Sequence, residues 1–158
     1  MKTGIALSIR PYRPADLDAV IGIFLRAVRQ VAARDYNHAQ IDAWAQADHE
    51  GWARQRRSRP TWIAVIGRSP AGFADLEPDG HVDMMYVDPA HQGVGVATAL
   101  LESVEAAARA QRLPRIFTEA SITARCLFER RGFRNMTAQR VELRGQTLTN
   151  YRMEKLLT

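Results

Sequence analysis

Cysteine is nearly absent: Cys126 stands alone in 158 residues. A single thiol excludes an internal disulfide framework and any cysteine-based zinc site, and a reducing cytoplasm is the expected compartment. Long apolar runs are missing as well. No stretch approaches the roughly 18 uninterrupted apolar residues of a membrane span, so no membrane partner is expected. The segment from Met1 to Arg13 has one lysine, and its apolar stretch from Ile5 to Ile9 stops at Arg10, too soon for a signal-peptide core. There is no internal repeat and no serine, glycine or proline stretch that would read as a linker. The four histidines, His38, His49, His81 and His91, show no ligand spacing, and no metal is expected.

What is present is an ordinary globular mixture, 46% apolar and 25% charged, long enough for one domain over 1–158 with a sizeable core. The net charge of +5 comes mainly from arginines scattered along the chain. Only Arg54, Arg56, Arg57 and Arg59 form a dense run, and no aromatic interrupts it. That run reads as a solvated helix end, so no nucleic-acid partner is expected. A basic balance equally suits an anionic small ligand.

Periodicity divides the chain into elements. Ile5, Leu7 and Ile9 alternate as a strand ending at Pro11. A helix starts at Pro14 with the apolar stripe Leu17, Val20, Ile21, Phe24, Val28 and Val31. Asn37 and Gln40 resemble a capping box, and Ile41, Trp44, Ala45 and Trp52 share a face, so a second helix runs toward Arg57. Aromatics at this spacing, Tyr36 among them, read as core before ligand cage. Strands follow over Trp62 to Ile66, Gly72 to Leu76 and Val82 to Val87, with turns at Gly67 to Pro70 and Glu77 to Gly80. In the third strand Val82 and Met84 have one parity while Met85 and Val87 have the other, and a bulge would reconcile them. Ala97, Leu100, Leu101, Val104 and Ala108 then mark a helix, with Glu105 placed to pair with Arg109. A strand at Arg115 to Thr118, a short helix through Ala124, Leu127 and Phe128 stopped by Gly132, and two strands joined at Arg144-Gly145 complete the chain. The order predicts an α/β (α+β) fold, a mostly antiparallel mixed sheet covered by helices. Its one parallel pair is expected across Val82 to Thr118.

The sharpest local signal is Gln92-Gly93-Val94-Gly95-Val96-Ala97, between a strand and the first turn of a helix. Glycines there admit a ligand close to the backbone, and the free amides of the helix N-terminus form a site for phosphate, with Thr98 able to add a hydroxyl. The Lys-Ser/Thr pair of a Walker loop is missing, and the glycine spacing is wrong for a dinucleotide fingerprint. Preceded by Tyr86-Val87-Asp88-Pro89, the motif resembles the acetyl-CoA signature of the GNAT N-acetyltransferases. Ala124 to Phe133 resembles that family's last helix and the turn after it. The end of the chain, Thr149 to Lys155, is similar to a bacterial subgroup of uncharacterised members.

The resemblance implies acetyl-CoA as cofactor. Met85 and Val87 would offer main-chain groups to its pantetheine arm, and Gln92, Gly93, Val94, Gly95, Val96, Ala97 and Thr98 would surround the pyrophosphate. Tyr86, Ser121, Arg125 and Phe128 would also line it, and the bulge would mark a splayed strand pair. Transfer to an amine requires a base, an oxyanion donor and a route for the leaving thiolate. Asp83 is the expected base, with His81 and Glu119 behind it, and an amide near Met85 is the expected oxyanion donor. Many members of the family carry tyrosine where this chain has Phe128, so no dedicated acid is expected, with Tyr151, Ser121 and Cys126 as substitutes. Cys126 itself reads as an inert helix residue, having no histidine near it in sequence. The expected activity is direct acetyl transfer to a small-molecule amine. A CoA-binding sensor without catalysis and a protein N-terminal or lysine acetyltransferase are the alternatives, and a homodimer stays open.

Overall fold

Small residues on one side of two central strands let a helix lie close to the sheet, while large ones on the other side build a second core. In this computed structural model, which describes residues 6–157, β1 (Leu7–Pro11), β2 (Thr61–Ile66), β3 (Ser69–Asp75) and β4 (Met85–Val87) form an antiparallel sheet in that order. Ile5, assigned to the first strand from its alternation, lies outside the described residues. Ala64 and Ala74 join the cluster beneath α4 (Val96–Ala110), whereas Ile63 and Phe73 join that of α1 (Leu17–Gln30). The alternation of the strands thus sorts two cores. Gly72 faces α4 so closely that a Cβ would come within 2.8 Å of Val96 Cγ1. Leu100 and Val104 on the inner stripe of α4 are fully buried, each contributing about 2 kcal/mol of apolar transfer.

The second helix expected from Asn37 to Arg57 is two helices, α2 (His38–Trp44) and α3 (His49–Ser58). The capping box at Asn37 forms as expected, with Asn37 and Gln40 each accepting the other's backbone amide at 2.8 Å. Asp48 opens α3 by accepting the Gly51 amide at 3.1 Å, and a competing cap of this kind starts a new helix where periodicity alone continues the old one. Ile41, Ala45 and Trp52 are buried as their shared face predicts.

After α4 the chain forms β5 (Arg115–Ser121), α5 (Arg125–Arg130), β6 (Arg134–Leu143) and β7 (Gln146–Leu156). β5, β7 and β6 make a second antiparallel sheet in that order. Arg144 and Gly145 turn the last hairpin with φ of +44° and +81°, the left-handed pair that a two-residue hairpin turn requires. Only one parallel bridge, His81 to Phe117, joins the two sheets among the described residues. The expected parallel pair is therefore a single point of contact, and beyond it β4 and β5 part.

Candidate active site

The parity of hydrogen bonding along β4 explains the parting. Asp75 N donates to Met84 O and Asp88 N donates to Ala71 O. With the register of β3 and β4, these bonds make 84, 86 and 88 the residues that face β3. Met85 and Val87 fall between them, so their main-chain groups point away from β3 into the gap. On the other side of the break, Val82 N donates to Phe117 O and Phe117 N to Gly80 O, while Thr118 Oγ1 donates to Val82 O. No ladder bond joins the two strands past these among the described residues. An open strand pair leaves backbone donors and acceptors that a ligand with amide groups can satisfy.

The change of parity lies at Asp83 and Met84. Both of their amides donate to one oxygen, Asp75 Oδ1, at 2.9 Å each. This is the bulge that the alternation of Val82 to Val87 predicts, and it shortens the expected strand to Met85–Val87. The other Asp75 oxygen accepts Arg56 Nη2 at 2.9 Å, with both side chains fully buried. Burial raises the Asp75 carboxyl above its ordinary value despite Arg56. Arg59 Nη1 reaches Glu77 at 3.1 Å, Asp83 at 3.3 Å and Asp75 at 3.5 Å. The expected solvated arginine run is therefore corrected: Arg56 and Arg59 turn inward to neutralise carboxylates near the gap. Sequence reasoning missed Asp75, Arg56 and Arg59. The available signal was a lone carboxylate inside the otherwise apolar run Ala71 to Leu76, preceded in the chain by a helix rich in arginine.

The gap widens into a cleft of about 320 Å³. Asp83, Met85, Tyr86, Val87 and Gln92 line one wall, and Thr118, Glu119, Ala120 and Ser121 line the opposite one. Ala27, Val28, Val31 and Trp44 roof it, and Leu127 and Phe128 floor it. Of the other two aromatics, Trp52 packs against Phe24 and Phe73. Tyr36 donates to Thr149 O and accepts from Ile122 N, a structural crosslink in the core.

His81 closes the narrow end. Its Nδ1 meets Glu77 and its Nε2 lies 2.7 Å from Glu119 Oε1. Burial pulls its pKa down, but the bonds to Glu119 and Glu77 outweigh that and hold it up at about 9. His81 is thus a cation at neutral pH, and a proton acceptor has to be sought among its carboxylate neighbours. Asp83, more exposed than His81, presents its carboxylate at the mouth.

Three of the residues singled out in sequence lie elsewhere. Tyr151 is on β7 beneath the Arg125 guanidinium, 4.7 Å from its ring centroid, and neither lines the cleft. Cys126 is exposed on α5 and also outside it. Phe128 is buried edge-on to Phe133 and carries no proton to give. Ser121 lines the wall, its Oγ accepting the Ala124 amide at 3.1 Å.

At the wide end the chain turns through Asp88, whose carboxylate accepts Ala90 N at 3.0 Å and Arg26 Nη2 at 2.6 Å. It then enters α4 at Gly95, with φ of +89° and no capping side chain. Gly93 has φ of +78°, and at neither glycine would a Cβ meet any atom within 4 Å. Left-handed backbone, open space and uncapped first-turn amides are what an anion needs at a helix N-terminus. Val94 beside them is exposed, and Thr98 turns to the groove shared with Arg130 and Gly132. The residues present therefore fit a ligand with an anionic tail and an amide-bearing arm.

Such a seat beside a cleft with two carboxylates suits a group transferase that takes an anion-tailed donor. Comparison with known proteins agrees. The profile of the Acetyltransferase (GNAT) domain matches residues 32–155. The uncharacterised N-acetyltransferase YafP of Escherichia coli is 38% identical over 147 residues, which cover 93% of this chain and 94% of that protein. A GCN5-related N-acetyltransferase from Rhodopseudomonas palustris superposes with a TM-score of 0.93 at 33% identity, covering 99% of both chains. YncA of Salmonella typhimurium, solved with its cofactor acetyl-CoA, superposes at 0.72 with 21% identity over 97% of this chain and 95% of that one; this likeness carries the fold. The chain belongs to the GNAT acetyltransferase family. It is an acetyltransferase, and the acetyl donor of its family is acetyl-CoA.

Proposed function

We propose that the protein transfers the acetyl group of acetyl-CoA directly to a primary amine of a small molecule in the cytoplasm. The observation that carries this reading is the parity of β4, which turns the main-chain groups of Met85 and Val87 into an open gap beside the carboxylates of Asp83 and Glu119. When bound, acetyl-CoA supplies an activated acetyl thioester. Met85 and Val87 hold its amide-bearing arm, and Gln92 to Ala97 hold its pyrophosphate on the uncapped turn of α4. Asp83, oriented by Arg59, takes the proton that an incoming ammonium must lose before it can attack. The Met85 amide donates to the acyl oxygen as negative charge grows there. Trp44, Val28 and Val31 roof the cleft and exclude water. Phe128 cannot donate a proton, and a thiolate, whose parent thiol has a pKa of about 8.5, is a good enough leaving group to need no dedicated acid and takes its proton from water.

Thiol release from acetyl-CoA across a library of small amines tests the proposal. Turnover with one or more amines is the expected result. No turnover with any amine, together with tight acetyl-CoA binding, would favour a sensor. Acetylated protein in a lysate, without any acetylated metabolite, would favour a protein acetyltransferase.

A further inference from the structure

We infer that Asp75 is a positioning residue whose carboxylate, fixed by Arg56, imposes the bulge that aims Asp83 and the Met85 amide into the cleft. The inference rests on the reading of Asp83 and Met85 given above. β3 ends at Asp75 opposite Met84, so an Asp83 amide turned to that side has no ladder partner on β3. One carboxylate oxygen takes both amides at 2.9 Å. Accepting two consecutive amides on the same side is what breaks the alternation, because in a regular strand successive amides point to opposite sides. The oxygen has little freedom to move. The side chain is fully buried, and its second oxygen is held by a guanidinium that is itself buried. Arg56 is anchored in turn by Thr61 Oγ1 at 3.4 Å and lies 5.8 Å from the Trp52 ring centroid. Without the bulge, Met85 and Val87 would turn toward β3, and the gap would be offered the main-chain groups of Met84 and Tyr86 in their place.

The test separates the oxygen from the buried charge pair. Removing one charge alone would strand the other in the core, so both are removed together. Arg56→Met with Asp75→Asn keeps a carbonyl oxygen for the two amides. Arg56→Met with Asp75→Leu keeps the bulk and deletes the oxygen. With the leucine pair, kcat is expected to fall at least about thirtyfold and the KM for acetyl-CoA to rise at least about threefold, because the base and the main-chain partners of the arm lose their aim together. Amide exchange at Asp83 and Met84 is expected to accelerate about a hundredfold or more. With the asparagine pair, both amides stay protected and kcat stays within about fivefold of the wild type. A folded leucine pair that keeps wild-type kcat, or equal losses in both pairs, would overturn the inference. If the leucine pair does not fold, the wild-type exchange rates decide: amides at 83 and 84 exchanging as fast as that of exposed Val94 would overturn it, and slow exchange retained in the asparagine pair would support it. A wild type that turns over no amine counts against the proposed function alone, since the exchange rates read the bulge without any transfer.

Discussion

Replacing Gly95 with valine probes the anion seat with little other disturbance. Gly95 begins α4 at φ +89° and ψ 10°, and its missing Cβ faces open space. The variant therefore meets no clash inside the protein, and its cost is backbone strain, about 1–2 kcal/mol for an ordinary L residue and somewhat more for a β-branched one. At about 2–4 °C per kcal/mol for a chain of this size, Tm should fall by roughly 3–8 °C with the fold intact. Affinity should suffer in either of two ways. If the left-handed turn persists, the valine side chain occupies space the pyrophosphate needs. If it relaxes, the first amides of α4 swing away from the ligand. Either result should weaken acetyl-CoA binding at least about tenfold, or about 1.4 kcal/mol. Titration calorimetry measures this, and scanning calorimetry measures the strain. Gly145→Val is the control, since Gly145 has φ +81°, equally open space and a place in the β6–β7 turn outside the cleft. It should show the same drop in Tm with no loss of affinity. A folded Gly95→Val protein with wild-type affinity, or a Gly145→Val protein with the same affinity loss, would refute the assignment of the loop.

Asp83→Asn should lower kcat by about a hundredfold or more at neutral pH, with acetyl-CoA affinity nearly unchanged; a loss below about threefold in steady-state kinetics passes the role to Glu119 or solvent. His81 should make stability depend on alkaline pH. Its folded-state pKa of about 9 lies above the ordinary 6.5, so its contribution is complete below about pH 6.5 and is lost as pH rises through 9. The loss should be on the order of 2 kcal/mol after discounting for partly exposed carboxylate partners, and urea titrations of His81→Gln should show it absent. Cys126→Ala should keep at least roughly a third of the activity, and because the thiol is exposed stability should change by no more than about 0.5 kcal/mol. A stoichiometric acetyl adduct on the wild type by intact-mass measurement, missing from the alanine variant together with its turnover, would replace direct transfer with a covalent route.

Elements built from local repetition are legible in the amino-acid order itself. The stripe from Leu17 to Val28 and the inner face of α4 repeat at a period that burial imposes on neighbours in sequence, and the Arg144-Gly145 turn is set by two adjacent residues. The bulge is legible too, because Val82 to Val87 cannot keep one parity and bury both ends. The loop from Gln92 to Ala97 is readable because an anion seat on a helix N-terminus needs only consecutive residues. What the tertiary structure alone decides are meetings between distant residues. In sequence Asp75 is simply the end of a strand, and only the packing of α3 brings Arg56 against it. His81 has the chemistry of a base until Glu77 and Glu119 make it a cation. Tyr151 and Arg125, both candidates for the site by sequence, stack on each other outside the cleft. A charge acts on whatever lies within a few ångströms, and the chain order says little about which residues those are until burial has chosen the packing.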